Sequence, residues 1–379
     1  MQSNSSPFLA LVCFLAALVH SLAGPGFERK SRSLKPSGAL FHFLHHSADI
    51  EVVFAFYAGI YLLAHWATLG FSSTLDLLKA CELTGPLLLV IVMITSSTSF
   101  VIGIASRGIE SIADLIPVPQ RISRYATVLI LGPLLGSLIT EPAAMTVTAL
   151  LLHQDILAKQ ISRKLFYSTL ALLFINVSIG GILTSFAAPP VVMVARHWSW
   201  DSTFMFTHFG WRSLFAVSLN TVIVTLLNHS ELRTSQDTSP DIEVPREEHS
   251  LIAKAVWVGI FLTAIKVLTH ELGSFVEPLI LSLQGLGLYA GATLLTGIVD
   301  NAAITAMVAP LTDLPELAKK AVFLGAVLGG GLTLIANAPN PAGFSILKSR
   351  LGREGFSAAW LILWAFPLTL LTGVILWIH

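Results

Sequence analysis

Long apolar runs alternate along the chain with short polar segments that carry most of its charge. A hydrocarbon core about 30 Å thick takes about 20 residues of helix to cross. Runs of that order predict spans over 8–23, 48–69, 84–105, 165–195, 210–228, 250–270, 320–347 and 356–378. Two further apolar stretches, 125–155 and 287–312, are each interrupted near the middle by an acid beside a helix breaker or turn former, Glu141-Pro142 and Asp300-Asn301. Their lengths suit re-entrant hairpins, in which two half-depth helices enter and leave on one face. The fold class expected is therefore an all-α polytopic membrane protein.

With both stretches as hairpins, counting crossings places the segments 24–47, 106–124, 156–164, 229–254 and 348–354 on one side. Those segments hold 16 of the 22 Lys and Arg residues, against 6 on the other side. The richer side is the cytoplasmic one. The first run ends in Ser21-Leu22-Ala23, which looks like a signal-peptide cleavage site. Cleavage would leave Arg29, Lys30, Arg32 and Lys35 outside, against the charge bias, so residues 1–23 are expected to be a span with an outer N-terminus. The chain then divides into a first span and basic cytoplasmic loop (1–47), a first repeat (48–228), a linker (229–249) with eight charged residues and a net of four negative charges, and a second repeat (250–379).

The repeats carry the strongest signal of fold. Glu141-Pro142-Ala143-Ala144-Met145-Thr146 aligns without a gap on Asp300-Asn301-Ala302-Ala303-Ile304-Thr305. Downstream, Gly180-Gly181-Ile182-Leu183-Thr184, ending in Pro189-Pro190, matches Gly329-Gly330-Gly331-Leu332-Thr333, ending in Pro339-Asn340-Pro341. Each half thus has a hairpin (125–155 and 287–312) followed by a glycine- and proline-broken helix (165–195 and 320–347). Three crossings separate the hairpins, so they enter from opposite faces. That is an inverted-topology repeat, an architecture that forms transport sites near the bilayer midplane from discontinuous helices. Glycine pairs let the backbone unwind, proline removes a donor, and Thr184, Ser185, Thr333 and Asn337 supply oxygens where helical hydrogen bonds stop.

Composition narrows the function. Only 12% of residues are charged and the mean hydropathy is +0.77, whereas soluble domains carry about 25% charged residues. The formal net charge is zero, which leaves no basic footprint for nucleic acid. Cys13 and Cys81 can build neither a disulfide framework nor a C-x-x-C site. A carboxylate at the centre of a membrane helix costs about 2.5 to 3.5 kcal/mol on insertion scales, so acids at matched repeat positions call for a role. A buried carboxylate that can hold either a proton or a sodium-like cation is the chemical core of antiport. Asn301 offers a further oxygen beside Asp300, which makes Asp300 the expected main cation ligand and Glu141 the accessory proton carrier.

At these residues the sequence resembles a known superfamily. Asp300-Asn301 with its Thr-containing arm, then Gly-Gly-x-Thr-Leu-Ile and Pro339-Asn340, resembles the ion transporter superfamily, which includes NhaD-type sodium/proton antiporters, arsenite pumps and citrate or dicarboxylate carriers. The runs Gly132–Ser137, Ile139–Thr146, Asn176–Gly181 and Phe186–Pro190 are similar to its family of Na+/H+ antiporters. The resemblance runs from about Ala48 to the C-terminus. It implies a secondary transporter of the bacterial inner membrane, with Na+ or a similar alkali cation and H+ as substrates, no cofactor and no metal beyond the transported cation; homodimer formation is left open. The candidate ion- and proton-binding residues are Glu141, Asp300, Asn301, Thr140, Asn176, Thr184, Ser185, Thr305, Thr333, Asn337 and Asn340. Carboxylate carriers of the superfamily have neutral Ser-Asn-Thr tips, and the acidic tips here depart from them in favour of a cation. The alternative is a carrier of an anion or oxyacid, because neutral arsenite is indifferent to tip charge.

Weaker signals change little. His42, His45, His46 and Asp49 share one helix face and could bind a metal or sense cytoplasmic pH. Gly132-x-x-x-Gly136 and Gly285-Leu286-Gly287 lack the strand-turn-helix context of a phosphate loop, so close packing of small residues explains them. An intramembrane protease dyad is the enzyme alternative. The chain has no Gly-x-Gly-Asp, His-Glu-x-x-His or Gly-x-Ser-x-Gly sequence, so no enzyme is expected.

Overall fold

A computed structural model describes residues 5–31, 38–47, 49–81, 83–96, 98–153, 157, 161–234, 248–283, 285–351 and 355–378. Among them there are helices and connections but no strand. The first group is α1 (Ser5–Ser31), α2 (Ala39–His46), α3 (Ile50–Ala80), α4 (Thr84–Ser96) and α5 (Ser99–Leu115). The central group is α6 (Gln120–Ile139), α7 (Glu141–Leu151), α8 (Arg163–Gly180), α9 (Pro189–Val194), α10 (Ser202–Met205), α11 (Trp211–Leu227) and α12 (His229–Thr234). The last group is α13 (Glu248–Thr269), α14 (Gly273–Leu283), α15 (Gly285–Thr296), α16 (Asn301–Val308), α17 (Glu316–Gly329), α18 (Asn340–Leu347) and α19 (Ala358–Trp377). Six segments, within α1, α3 and α6, across α8, from α10 through α11, and in α19, are long and apolar enough to cross a membrane. The protein is an all-helical integral membrane protein.

Burial sorts these helices. Every residue of α8 from Leu165 to Gly180 is buried, the expected fate of a helix apolar on all sides. The other spans keep large side chains outward, such as Leu63, Trp66, Leu138, Phe215 and Leu363. With no water to drive it, that outward face is suited to lipid. α1 joins the bundle through Ala10, Phe14 and Ala17, all buried, and the Phe14 ring meets Phe54 of α3 at 6.0 Å. Phe54 in turn meets Phe261 of α13 at 5.4 Å.

Several expected boundaries shift for local reasons. The span expected over 84–105 is two helices: α4 ends in a run of hydroxyl residues, and the Thr98 side chain caps α5 by accepting from the Val101 amide at 3.4 Å. α3 continues past the expected end at 69, but Gly70 at φ 87° breaks it. α14 lies where a plain connection was expected. Part of the linker, 235–247, lies outside the described residues, as do 32–37, 156, 158–160 and 352–354 of the basic segments and 154–155 at the end of the first expected hairpin.

Contacts gather the connections at two ends. At one end, Ser162 pairs with Glu231 (Oγ to Oε2 2.5 Å), His153 meets Ser349 at 3.0 Å, the Ile161 amide donates to Arg350, and the Ser357 amide donates to Tyr167. At the other, Tyr61 donates to Glu271 at 3.0 Å, Gly273 lies against Leu311, and Tyr289 stacks on Trp377 at 4.8 Å.

Candidate functional site

The site grows from two helix turns and two helix breaks. Residues equidistant from Thr140 face each other across α6 and α7: Gly132 meets Thr148, and Gly136 meets Ala144. The two helices therefore double back antiparallel at Thr140. α8 runs parallel to α6, with Tyr125 bonded to Thr169 at 2.7 Å near one end and Ser137 to the Gly180 carbonyl at 2.7 Å near the other. There α8 stops, passes through a short 3-10 turn (Gly181–Leu183), and resumes as α9 behind Pro189. In the second half α17 runs beside α15, stops at Gly329, and resumes as α18.

Matching contacts brace both breaks. Thr184 donates to the Ser137 carbonyl at 2.6 Å, and Thr333 to the Gly297 carbonyl at 2.8 Å. The Glu141 amide donates to Ala187 at 3.1 Å, and the Asn301 amide to Ala336 at 3.0 Å. These bonds put Glu141 in the place of Asn301, one residue away from the sequence alignment, which sets it opposite Asp300. The shift arises because the first turn is the single residue Thr140, whereas in the second half Asp300 precedes the helix as its cap. Thr140 has φ 77° and ψ 150°, a region that is essentially glycine's own and costs about 1–3 kcal/mol. Asp300 occupies the same place at φ −54°, without strain.

Close approach at the breaks depends on glycine. A Cβ on Gly180 would lie 2.6 Å from the Pro133 carbonyl oxygen, and one on Gly329 would lie 2.4 Å from that of Thr293. The second glycine of each pair has a different neighbour: Gly181 lies under the Glu141 side chain, and Gly330 under the Asn301 amide. The halves also exchange partners. α7 packs on α18, and α16 packs on α9. The broken helices meet where Ser178 donates to the Val327 carbonyl at 2.6 Å.

The chemistry lies where these elements converge. Glu141, Asn301 and Thr140 have no exposed surface, and Asp300 and Asn337 have almost none. Asn337, from the second break, donates to Glu141 Oε1 across the two halves. Asp300 Oδ1 accepts from the Ala302 amide at 2.8 Å, and the amides of Ala303 and Ala338 face the same carboxylate. The charge of Asp300 acts on Glu141. Glu141 Oε2, Asp300 Oδ2, Thr140 Oγ1, Asn301 Oδ1 and Nδ2, Asn337 Oδ1 and Asn340 Oδ1 are buried with no hydrogen-bond partner. Buried polar atoms are nearly always paired, so this concentration of free oxygens at two acids marks a place built to receive something.

The other expected site residues have their donors committed. Asn176 ties three helices together, donating to the Leu129 carbonyl at 3.0 Å, the Val217 carbonyl at 3.3 Å and Thr221 at 2.9 Å. Ser185 bonds Ser202 at 3.0 Å, Thr305 bonds its own helix at the Asn301 carbonyl at 3.0 Å, and Asn340 donates to the carbonyls of Gly330 and Thr333, each at 2.8 Å. Two residues of this region were missed in the sequence. Ser178 lies in the Asn176–Gly181 run and was legible only as part of it. Glu51, at the start of α3, acts on the charge of Asp300, and a single acid near the head of a span gives no signal of that.

At the His42 face, His46 lies 3.4 Å from Asp49, and the His45 side chain lies outside the described residues. No cluster of three His, Cys, Asp or Glu able to hold a metal occurs among the described residues.

No curated protein matches the chain. A family of transporters does, covering nearly all of it in two overlapping segments, 7–256 and 246–379: the chain belongs to the family described as "Putative Na+/H+ antiporter".

Proposed function

We propose that the protein exchanges a monovalent cation, sodium foremost, for protons by alternating access, with Glu141 and Asp300 as the exchanging groups. The observation that carries this reading is the pair of buried carboxylates whose free oxygens are joined by those of Thr140, Asn301, Asn337 and Asn340. Two neighbouring acids withdrawn from water cannot both stay ionised without a compensating charge, and their titration belongs to the pair. A cation entering among the oxygens supplies that charge and displaces protons; protons returning from the other side displace the cation. An oxygen-only donor set at half-helix ends suits an alkali cation, and the acidic tips repel an anion.

The reading as opposed re-entrant hairpins in an inverted repeat draws support from the contacts. α6–α7 doubles back at Thr140, and its far end, at His153, joins Ser349 and Arg350. In α15–α16, Tyr289 of the first arm meets Trp377 and Met307 of the second arm lies near Gly273, both at the end of the molecule away from Ser349. Because each hairpin's second arm packs on the other half's broken helix, a rocking of one half against the other opens the acids to one side or the other. The test is a proteoliposome assay in which a luminal dye reports pH after a sodium pulse. After an external sodium pulse the wild type should alkalinise the lumen, because sodium entry moves protons out, and Asp300→Asn should abolish the response; a retained response in Asp300→Asn would overturn the assignment.

A further inference from the structure

Away from the acids, the helix ends that gather near Trp377 enclose a second feature. The π-helical turn Phe206–Gly210, the first turns of α17 and the last residues of α19 surround a cavity of about 140 Å³. Thr207, His208, Arg212, Lys320, Leu324 and Trp377 line it, and no acidic side chain does. Arg212 donates one Nη1 bond to the His208 carbonyl at 3.1 Å, while its Nε is buried without an acceptor. Its guanidinium lies 5.0 Å from the Trp211 ring centre. Lys320 has its ammonium 5.8 Å from the Phe204 ring centre and pairs with no carboxylate among the described residues; the neighbouring Glu316 is held by Lys319 at 3.0 Å.

Two cations sharing one small cavity without a counter-charge repel each other, and a buried guanidinium nitrogen without an acceptor is costly. An anion in the cavity relieves both. The position narrows the anion further. Phe206, Trp211, Leu214 and Phe215, on the same helical stretch as Thr207, His208 and Arg212, are exposed, and tryptophans at helix ends mark the border between bilayer and water. Basic pockets between membrane helices bind anionic lipid head groups on the cytoplasmic side, and the same pairing of cationic side chains with a head-group phosphate holds at the opposite border. Leu324 and Leu376, both buried, form an apolar wall, so the cavity presents charge on one side and hydrocarbon on the other.

We propose that this cavity is a phosphate site filled by the head group of an anionic phospholipid, held by Arg212 and Lys320. Inorganic phosphate shares the charge but lacks the acyl chains. The full chain, stripped of lipid in neutral detergent, is titrated in parallel with phosphatidylglycerol, phosphatidylcholine and inorganic phosphate, reading thermal stability and bound lipid by native mass spectrometry. Phosphatidylglycerol should raise the melting temperature and remain bound, phosphatidylcholine should do neither, and Arg212→Gln with Lys320→Gln should weaken phosphatidylglycerol binding at least tenfold. Lys320→Gln alone breaks no side-chain hydrogen bond among the described residues and should weaken it at least threefold even where the double variant folds poorly. Lys79→Gln, at an exposed residue paired with Asp76, should leave binding unchanged. Equal protection by inorganic phosphate would overturn the lipid assignment, and undiminished phosphatidylglycerol binding in Lys320→Gln would overturn the site.

Discussion

Replacing Asn337 by alanine removes one donor and one free oxygen from the centre of the proposed exchange site. Its amide reaches Glu141 Oε1 from the opposite half of the molecule, and both residues are buried. A hydrogen bond to a charged group contributes about 1.5–3 kcal/mol. Tenfold in affinity corresponds to about 1.4 kcal/mol, so the loss corresponds to a factor of about 10 to 150 in any equilibrium that depends on an ionised Glu141. Cation binding is such an equilibrium, because the cation displaces a proton. Asn337→Ala should therefore raise the sodium concentration for half-maximal exchange in proteoliposomes by at least tenfold, while the purified protein stays monodisperse. Asn337→Ser, which restores a hydroxyl donor of shorter reach, should recover part of the loss. A folded Asn337→Ala protein with unchanged sodium dependence would refute the idea that this cross-half bond tunes the site.

The matched glycines make a stability prediction: Gly180→Ala and Gly329→Ala force a Cβ against a backbone carbonyl and should each destabilise by about 1–3 kcal/mol. Gly59→Ala, with open space at the Cβ position, should be neutral or slightly stabilising in the same thermal melts. Glu141→Gln should change how exchange responds to an imposed potassium-diffusion potential more than it weakens cation affinity; lost affinity with an unchanged voltage response would reverse the roles given to the two acids. His153 touches Ser349 and Arg350, and burial with the Arg350 charge lowers its proton affinity below the ordinary value of 6.5. The folded state thus resists its protonation, so stability is full above that pH and falls as pH drops below it. His153→Gln should flatten that acid-side loss in melts compared at pH 7.5 and 5, and an unchanged slope would remove His153 from the account.

What the sequence shows and what it hides follow from one distinction. Glu141, Asp300 and the glycine pairs stand out because a charge or a break inside an apolar run violates the local pattern, and local violations are readable one residue at a time. The one-residue offset between the turns at Thr140 and Asp300 is hidden because it depends on Thr140 adopting a backbone region that ordinarily announces itself with glycine. Asn337 meeting Glu141 across 196 positions is likewise invisible, since an asparagine near a break satisfies a local reading with no partner. Asn176 adds a role that the sequence does not announce. An amide in the middle of an apolar span reads as a ligand, yet its donors are consumed by two carbonyls and Thr221, which tie the helices that hold the break in place. The α4–α5 boundary was missed because apolar periodicity continues through it, while the hydroxyl cap at Thr98 is a weaker signal than the surrounding hydropathy.

The central claim is that cation and proton compete for one pair of carboxylates, and proton release on cation binding measures it most directly. Purified protein in weakly buffered detergent solution is mixed with sodium chloride, and the proton yield per chain is read with an indicator dye against choline chloride. The wild type should release protons saturably with sodium, Glu141→Gln and Asp300→Asn should each release fewer, and the double variant should release none. Sodium binding to the wild type without proton release, or undiminished release from the double variant, would contradict the account.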